Sequence, residues 1–539
     1  MFVSMYSRFS AISICTVQSA ALAFLMLASL AIPATVQAEE HERTFVNPVY
    51  AGQDPYLMVG PDGAYYQAAS LRSDRALAVY RSESLTDRGI HRVVFEAPDE
   101  GPYRDQFWAP EIHYLDGKWW IYTCADDGDN AKHRVVVLVA ETDDPLGKYK
   151  IAAELETPAW AIDATVSKFP NGKRYCIWSG WPEGTTPDST QHLFISEMES
   201  PTKLVGPAVD ISTKMYPWET SGRPDGLNEG AQVIHRNGKT LVLYAASGSW
   251  TPDYCFGLMT LEGDDPLDAS GWVKQEKPWF SRTADVYGPG HGCLITSPDG
   301  SEDWLVFHSS IDPKGSWNRC ISMKQVSWND NGLPVAGKPT SWNTPVPVPA
   351  GEPPLQAGGK LTNAFDTLDR WELLHFYNGN TLRLRDNQLS VKASADRRYG
   401  DKLILRGLEY RDLTVETRIR FDREEGTAGT IVRVTDAGIG RYNFRGYSAQ
   451  LSSTGELILA KCDGNKLTVL ASKEVSVTKG RWYDLRVVAQ GELLEVYLDG
   501  AKQPQLSAED ATYPSGQIGV RAIDANVTFD TFSVSTTAE

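Results

Sequence analysis

The stretch Gln106-Phe-Trp-Ala-Pro-Glu-Ile-His-Tyr-Leu-Asp-Gly-Lys-Trp-Trp-Ile-Tyr122 decides the fold of this chain. It contains a short apolar run with one acid, then the pair Asp116-Gly117, then a segment dense in aromatic residues. An Asp-Gly pair between two apolar runs is a strong short-range signal for a β-hairpin. We therefore predict two antiparallel strands joined by a tight turn.

The same pattern occurs five times before residue 343. Each time a polar residue leads an apolar run, an Asp-Gly or Asn-Gly turn follows, and a second apolar strand comes next. The leading polar residues are Asp54, Glu111, Asp163, Glu229 and His291. All-β repeats of roughly this size are typical of blades arranged around an axis. The sequence predicts an all-β protein with a five-bladed β-propeller, in which four carboxylates and one histidine converge on the axis.

The chain length and the net charge limit the number of domains and the kinds of partner to be expected. A chain of 539 residues is too long for one ordinary core, so at least two domains are expected. The net charge of −17 argues against a nucleic-acid partner, because phosphate binding needs a basic surface. A neutral carbohydrate is compatible with this charge. The 16 Trp and 23 Tyr offer rings for sugars to stack on, although aromatic residues also fill β cores.

Four segments are predicted along the chain. Residues 1–38 have the apolar run and small-residue cleavage site of a signal peptide, so we expect a secreted or periplasmic protein without membrane association after signal removal. An uncleaved anchor is the alternative. Residues 39–342 hold the propeller, and residues 343–359 form a Pro/Gly-rich linker. Residues 360–539 contain short alternating strands, which predict an antiparallel, jelly-roll-like β-sandwich.

Six cysteines lie outside the predicted signal peptide, an even number that permits disulfides in an exported protein. Cys124 and Cys176, however, occupy corresponding strand positions in two blades, where small buried thiols are the simpler interpretation. No Cys-x-x-Cys pair is present in the sequence, so a zinc site has no support.

The acids at the repeat starts have the composition that glycosidic-bond hydrolysis requires. One carboxylate must be ionised to activate water, and another must be protonated to protonate the leaving oxygen. A third carboxylate can separate the pKa values of the first two. From the repeat alone, a structural polar cluster on the axis remains the alternative.

Four motifs resemble glycoside hydrolase family 43, and the resemblance covers about 300 residues, from Asn47 to Trp342. They are Asn47-Pro-Val-Tyr-Ala-Gly-Gln-Asp54-Pro, Trp108-Ala-Pro-Glu111-Ile, Ile162-Asp163-Ala-Thr and Asn228-Glu229-Gly. That family consists of five-bladed propellers that hydrolyse arabinose and xylose polymers with inversion. The resemblance implies that Asp54 is the general base and Glu229 the general acid. It implies that Asp163 orients the base side and tunes the pKa of the acid.

Further segments resemble the exo-acting α-L-arabinofuranosidases of this family. They are Tyr244-Ala-Ala-Ser-Gly-Ser-Trp250-Thr-Pro-Asp253-Tyr254, Val286-Tyr-Gly-Pro-Gly-His291 and Ser297-Pro-Asp-Gly-Ser-Glu-Asp-Trp304. The implied reaction is release of terminal α-L-arabinofuranose from arabinan or arabino-oligosaccharides, which are plant-type substrates. A β-xylosidase or another terminal-sugar hydrolase is the alternative on the same fold, and a non-catalytic glycan-binding propeller is the alternative of another class.

Five residues are candidates for substrate binding: Trp108, Glu111, Trp250, His291 and Arg319. The two indoles are stacking platforms if they do not simply fill the core. Arg319 reaches a sugar hydroxyl or a catalytic acid unless it lies on the surface, and Glu111 is a subsite or structural residue. By resemblance, His291 lies beside a hydrated calcium or other ion on the axis and holds it indirectly; a hydrogen-bonded axial histidine is the alternative. Inverting chemistry itself requires no cofactor.

The C-terminal segment carries two matching pieces, Phe365-Asp-Thr-Leu-Asp-Arg-Trp371 and Phe529-Asp-Thr-Phe-Ser-Val534. They resemble the concanavalin-like or laminin-G-like sandwiches appended to secreted glycosidases. That resemblance implies a carbohydrate-binding module. A domain that only packs on the propeller is the alternative.

Overall fold

The computed structural model of the chain describes residues 43–71, 74–185, 190–375, 382–392 and 400–536, so the predicted signal peptide lies outside the described residues. Within these ranges the chain is built almost entirely from strands, and its helices are single 3-10 turns, none long and apolar enough to cross a bilayer. These turns are Asn130–Lys132, Pro217–Glu219, Ala269–Gly271, Ala364–Asp366 and Leu368–Arg370. The prediction of an all-β protein is confirmed.

Five antiparallel sheets form the blades of the propeller, which confirms the predicted five-bladed architecture. Blade 1 consists of Leu57–Val59, Tyr65–Leu71, Ala76–Ser82 and Ile90–Glu96. Blade 2 consists of Asp105–Leu115, Lys118–Asp126, Arg134–Ala140 and Tyr149–Glu154. Blade 3 consists of Ala161–Lys168, Arg174–Gly180, His192–Ser200 and Lys203–Ser212. Blade 4 consists of Asn228–Arg236, Lys239–Ala246, Cys255–Leu261 and Trp272–Lys274.

Blade 5 joins both ends of the propeller. It consists of Tyr287–Thr296, Asp303–Ser310, Arg319–Trp328, the early strand Tyr50–Ala51 and the short strand Pro334–Val335. Tyr50 pairs with Ile321 and Ala51 with Cys320, so a strand that precedes blade 1 completes the last sheet. This pairing places Asp54, three residues further on, at the junction of blades 1 and 5.

The predicted hairpin turns are present. Leu115 pairs with Lys118 across Asp116 and Gly117, whose φ angles are 53° and 78°. Two central residues with positive φ define the type I′ turn, whose twist matches that of the flanking strands. The six cysteines outside the predicted signal peptide are all buried free thiols, which confirms the interpretation of Cys124 and Cys176.

The C-terminal region is a sandwich of two seven-stranded antiparallel sheets. In order of pairing, one sheet contains Trp371–Leu374, Asp401–Leu405, Gln517–Ile523, Thr427–Ala437, Phe444–Ser452, Glu456–Asp463 and Leu467–Glu474. The other contains Leu382–Arg385, Gln388–Val391, Val527–Ser535, Leu413–Phe421, Trp482–Gln490, Leu493–Leu498 and Leu506–Glu509. The two matching pieces of the sequence meet in the core, where the ring of Trp371 lies 5.1 Å from both Phe365 and Phe532.

The segment predicted as a linker pairs with both domains. Its strand Pro345–Pro347 pairs with Thr44–Val46, and its strand Gln356–Ala357 pairs in parallel with Leu408–Glu409 of the sandwich. An apolar cluster then joins the domains; its propeller members include Ala51, Ile311 and Cys320, and its sandwich members include Ile404, Ile431 and Phe444. The propeller and the sandwich therefore contact each other through an apolar patch.

Candidate active site

Irregular pairing places the functional side chains on the propeller axis. The first strands of blades 2 to 5 shift register near their starts. Blades 2 and 5 shift twice, and their earlier shifts enclose Gln106 and Gly288. The remaining shift in each of the four blades encloses one residue with positive φ. These residues and the corresponding one before blade 1 are Asp54 (47°), Ala109 (42°), Asp163 (53°), Gly230 (56°) and His291 (35°). Such bulges re-aim side chains, and positive φ outside glycine concentrates at functional sites. Five equivalent backbone positions therefore face one centre.

Two of the five leading residues predicted from the repeat do not occupy these equivalent backbone positions. Glu229 comes one residue before the bulge of blade 4, because the bulge itself holds Gly230. A Cβ at Gly230 would lie 2.8 Å from the His291 ring, so only glycine fits there. In blade 2 the bulge holds Ala109, and Glu111 lies two residues deeper, paired with Tyr122. Three polar residues are thus true equivalents, and two carboxylates reach the axis from neighbouring positions.

Asp54 is surrounded by groups that favour its ionised form. Its Oδ1 lies 3.1 Å from Nδ1 of His308 and 3.4 Å from Nδ1 of His291, and it accepts a hydrogen bond from Arg319 at 3.3 Å. Burial alone would raise the pKa of Asp54, but these three partners outweigh it and hold the pKa below its ordinary value. Asp54 is therefore a carboxylate at neutral pH.

Glu229 has the opposite environment. Its Oε1 accepts a hydrogen bond from the Tyr254 hydroxyl at 2.8 Å, and its Oε2 accepts one from the Gln191 amide at 3.1 Å. Burial raises the pKa of Glu229, and the negative charge of Asp54 adds to that rise. These two carboxyl groups are thus separated in pKa by their surroundings, as an acid–base pair requires.

Asp163 connects the two sides of the centre. Its Oδ2 accepts a hydrogen bond from the Gly230 amide at 3.1 Å and lies 3.8 Å from Nδ1 of His291. Burial raises the pKa of Asp163, and the charges of Glu229 and Asp54 raise it further. Because Asp163 holds the residue that follows Glu229 and faces the histidine beside Asp54, its position fits the predicted orienting role.

Trp108 is connected to the centre through Asp74, a residue that the sequence analysis did not identify. Its indole hydrogen-bonds to the Asp74 carboxyl, and its ring lies 4.2 Å from that of His133. Burial, together with the charge of Asp54, raises the pKa of Asp74 to about 6. Asp74 follows the second strand of blade 1 and has no counterpart in the repeat pattern, so only the structure brings it to the site.

Trp250 and Arg319 both lie close to Trp317. The rings of Trp250 and Trp317 are 6.1 Å apart, and the Arg319 guanidinium lies 4.7 Å from the Trp317 ring. Arg319 also donates to the Ser249 carbonyl at 2.9 Å and is only 5% exposed, so it is not a surface residue. The arginine is therefore fixed between Asp54 and a pair of indoles that the solvent can reach.

Glu111 lies away from the hydrogen bonds of the three acids. Its Oε2 is 2.9 Å from Nε2 of His113, whose ring packs 5.0 Å from Tyr56. Burial raises the pKa of Glu111 and lowers that of His113 to about 3, so it favours the neutral form of both groups. A role of Glu111 in substrate binding stays a prediction.

The axial ion also stays a prediction. Among the described residues, no group of three or more His, Cys, Asp or Glu side chains is arranged to ligate a metal. His291 instead directs its Nδ1 towards Asp54 and Asp163. An ion held indirectly by His291, as the resemblance implied, is not tested by these contacts.

Four residues of the site escaped the sequence analysis: His308, Tyr254, Gln191 and Asp74. His308 lies in the second strand of the fifth repeat, and Tyr254 ends one of the quoted motifs, so both had a signal in the sequence. Gln191 precedes the third strand of blade 3, a position to which the repeat gives no special meaning.

Arg319→Gln is expected to move the acidic limb of the kcat/KM–pH profile upward by about one pH unit. Removing the guanidinium takes a positive charge from beside Asp54, so the pKa of the base rises and its ionised fraction at low pH falls. The measurement is a pH profile on an aryl glycoside, with Arg282→Gln, an exposed arginine paired with Asp253, as the control. An acidic limb that does not move would contradict the role of Arg319 in lowering the pKa of Asp54.

A buried ion pair supports the acid side of the centre. Nζ of Lys274 donates to Oε1 of Glu219 at 2.5 Å and to Oδ1 of Asn228 at 2.8 Å. Glu219 also accepts from the Asn228 amide at 3.0 Å. Because Asn228 directly precedes Glu229, this network fixes the backbone that carries the acid.

Lys274→Met is expected to lower the free energy of unfolding by about 3–5 kcal/mol, because it leaves the buried Glu219 carboxylate without its charge partner. Lys173→Met, which breaks the exposed pair with Glu197, should cost less than about 1 kcal/mol. Urea denaturation measures both values. Equal losses in the two variants would contradict the structural role of the buried pair.

The profile of glycosyl hydrolases family 43 matches residues 45–334 of the chain. The chain belongs to this family. It is therefore a glycosidase whose substrate is a polysaccharide or an oligosaccharide, and the predicted family resemblance is confirmed. A profile described as a 3-keto-alpha-glucoside-1,2-lyase-like domain matches residues 360–535, which form the sandwich.

Several relatives of this family 43 chain are arabinofuranosidases. An extracellular exo-alpha-(1->5)-L-arabinofuranosidase of Streptomyces avermitilis is 30% identical over 394 residues, which are 69% of this chain and 78% of the relative. Alpha-L-arabinofuranosidase 43 of Humicola insolens is 30% identical over 405 residues, which are 70% of this chain and 79% of the relative. The solved structure of an alpha-L-arabinofuranosidase from Lactobacillus brevis is 29% identical and covers 56% of this chain and 98% of its own, with a TM-score of 0.51.

Proposed function

We propose that this protein is an inverting, exo-acting hydrolase that releases terminal α-L-arabinofuranose from arabinan or arabino-oligosaccharides. The observation that carries the proposal is the opposite environment of two carboxyl groups on one axis. Asp54 lies among an arginine and two histidines, whereas Glu229 is buried among neutral donors. Those surroundings supply an ionised base and a protonated acid at the same pH.

The reaction is a single displacement. Asp54 accepts a proton from a water molecule as that water attacks the anomeric carbon, and Glu229 gives its proton to the departing glycosidic oxygen. The attacking water and the leaving group are on opposite faces of the sugar, so the anomeric configuration inverts. After one turnover Asp54 is protonated and Glu229 ionised, and exchange with solvent restores both.

Asp163 acts as the orienting residue. Its hydrogen bond from the Gly230 amide fixes the backbone next to Glu229, and its own charge, when present, would disfavour ionisation of the acid. His291 stands between Asp163 and Asp54, so it transmits the position of one carboxyl to the other. Removal of Asp163 should therefore disturb both the acid and the base.

The identity of the sugar rests on the relatives. Two arabinofuranosidases share 30% identity with this chain across most of their length, and one of them is described as extracellular and exo-acting on α-1,5 linkages. Together with the signal-peptide pattern, they support an exported enzyme whose substrate is a plant-type arabinan. The exposed Trp317 and the half-buried Trp250 beside it offer apolar faces on which a furanose can stack.

A time course on linear α-1,5-arabinopentaose tests this function. Chromatography should show arabinose from the first time point, together with oligosaccharides shortened by one unit at a time. Aryl α-L-arabinofuranoside and aryl β-D-xyloside, assayed in parallel, separate the two terminal-sugar activities. Early di- and trisaccharides, or turnover of the xyloside alone, would contradict the proposal; binding without any turnover would favour a non-catalytic glycan-binding propeller.

A further inference from the structure

A cavity of about 530 Å³ lies between the propeller and the sandwich. Blades 1 and 5 form one wall, which includes Tyr80, Arg88 and Trp317, and the sandwich forms the other, which includes Glu372 and His375. This volume falls in the range of about 300–1,000 Å³ that is usual for ligand sites.

The cavity adjoins the catalytic centre. Its lining includes Gln53, which directly precedes Asp54, and Arg319, which donates to Asp54 at 3.3 Å. It also includes Asp74, the hydrogen-bond partner of the Trp108 indole. Three residues of the cavity wall are thus sequence neighbours or hydrogen-bond partners of residues in the catalytic centre, which places the cavity next to it.

Two arginines of the cavity wall already have partners. Arg406 forms an ion pair with Asp87, and the Arg88 guanidinium lies 3.8 Å from the Tyr80 ring and donates to Gln67 at 3.2 Å. Burial raises the pKa of Glu372, which disfavours a free negative charge there. An anion or a cation would have to displace these pairs, whereas a neutral ligand with many hydroxyl groups can use their remaining donors and acceptors.

The rim of the cavity also carries an exposed aromatic surface. Trp317 is 63% exposed, although an indole of this size is usually covered in a folded protein. Its ring lies beside Trp250 on one side and the Arg319 guanidinium on the other. An exposed indole at the mouth of a polar cavity is the arrangement that sugar rings use for stacking.

We propose that this inter-domain cavity binds the neutral saccharide that extends beyond the sugar being released. The inference rests on the proposed hydrolase function and deepens it, because it makes the sandwich one wall of the substrate site rather than a separate binding module. Trp317 stacks with a sugar ring at the entrance, and Glu372, on the sandwich wall, faces the hydroxyl groups inside.

Kinetics on a long and a short substrate test the cavity. For each variant the measured quantity is kcat/KM on α-1,5-arabinopentaose divided by kcat/KM on an aryl α-L-arabinofuranoside, whose small leaving group does not fill the cavity. Glu372→Trp, which fills the space, and Trp317→Ala, which removes the platform, should each lower this ratio at least tenfold. Val469→Trp, at an exposed sandwich position outside the cavity lining, is the matched control and should keep the wild-type ratio.

The outcome separates the two proposals. If the wild type hydrolyses the aryl arabinofuranoside but both variants keep the ratio within twofold, the cavity proposal fails and the hydrolase function stands. If the melting temperature shows that Glu372→Trp does not fold, Trp317→Ala decides alone.

If the wild type hydrolyses neither substrate, the proposed function fails. Calorimetric titration of the full chain with arabinopentaose then tests whether the cavity binds a saccharide. At least tenfold weaker binding by Glu372→Trp than by the wild type would support the proposal. Equal binding, or no binding by either protein, would overturn it.

Discussion

Glu229→Gln is expected to lower kcat on arabino-oligosaccharides by about 10²–10⁴-fold, the usual contribution of a general acid. Glutamine keeps the size of the side chain and a hydrogen-bonding oxygen for Tyr254, but it has no proton to give to the leaving oxygen. An alcohol leaving group of high pKa departs slowly without that proton. Substrate binding and the melting temperature should change little.

The loss in Glu229→Gln should depend on the leaving group. An aryl arabinofuranoside with a strongly acidic phenol needs little protonation, so its kcat should fall at least tenfold less than that of the oligosaccharide. Glu276→Gln, an exposed glutamate in the same propeller, provides the matched control and should behave as the wild type. Equal losses on both substrates would contradict the assignment of Glu229 as the acid.

Asp54→Asn is expected to lower kcat by about 10²–10⁴-fold on every substrate, whatever its leaving group. The water must lose a proton in the transition state regardless of which group departs, and an amide cannot accept it. Asparagine also removes the negative charge that Arg319 and His308 surround, so some loss of stability is expected in this variant. Stopped assays on oligosaccharide and activated aryl substrates give the comparison.

The contrast between the two variants identifies the roles. Asp330→Asn, an exposed aspartate on a blade 5 turn, is the control for Asp54→Asn and should keep full activity. If Asp54→Asn recovered activity on the activated aryl substrate while Glu229→Gln did not, the base and the acid would have to be exchanged.

The architecture could be predicted because each blade contains the same local pattern of strand, tight turn and strand. Asp116-Gly117 marks a type I′ turn by local chemistry alone, and five copies of such a hairpin leave few alternatives to a propeller. The closing strand Tyr50–Ala51 was not predictable in this way, since its partner lies about 270 residues away and two residues carry no periodic signal. The pairing of residues 345–347 with residues 44–46 was not predicted from the sequence for the same reason.

The site was predictable only in part. Asp54, Asp163 and His291 occupy equivalent backbone positions in their repeats, so aligning the repeats identifies them. Glu229 is displaced by one residue, because the contact of Gly230 with the His291 ring admits no side chain at the bulge. The groups that set the pKa values, such as Arg319 and Tyr254, come from other strands and act through distances that no spacing in the sequence encodes.

Proton NMR of the products formed from an α-linked arabino-oligosaccharide tests the central claim most directly. The account predicts that β-arabinofuranose appears first and that the α anomer grows in only as mutarotation proceeds, because Asp54 directs water to the face opposite the leaving group. Initial release of α-arabinofuranose would mean net retention. That result would contradict a single displacement with Asp54 as the base and Glu229 as the acid.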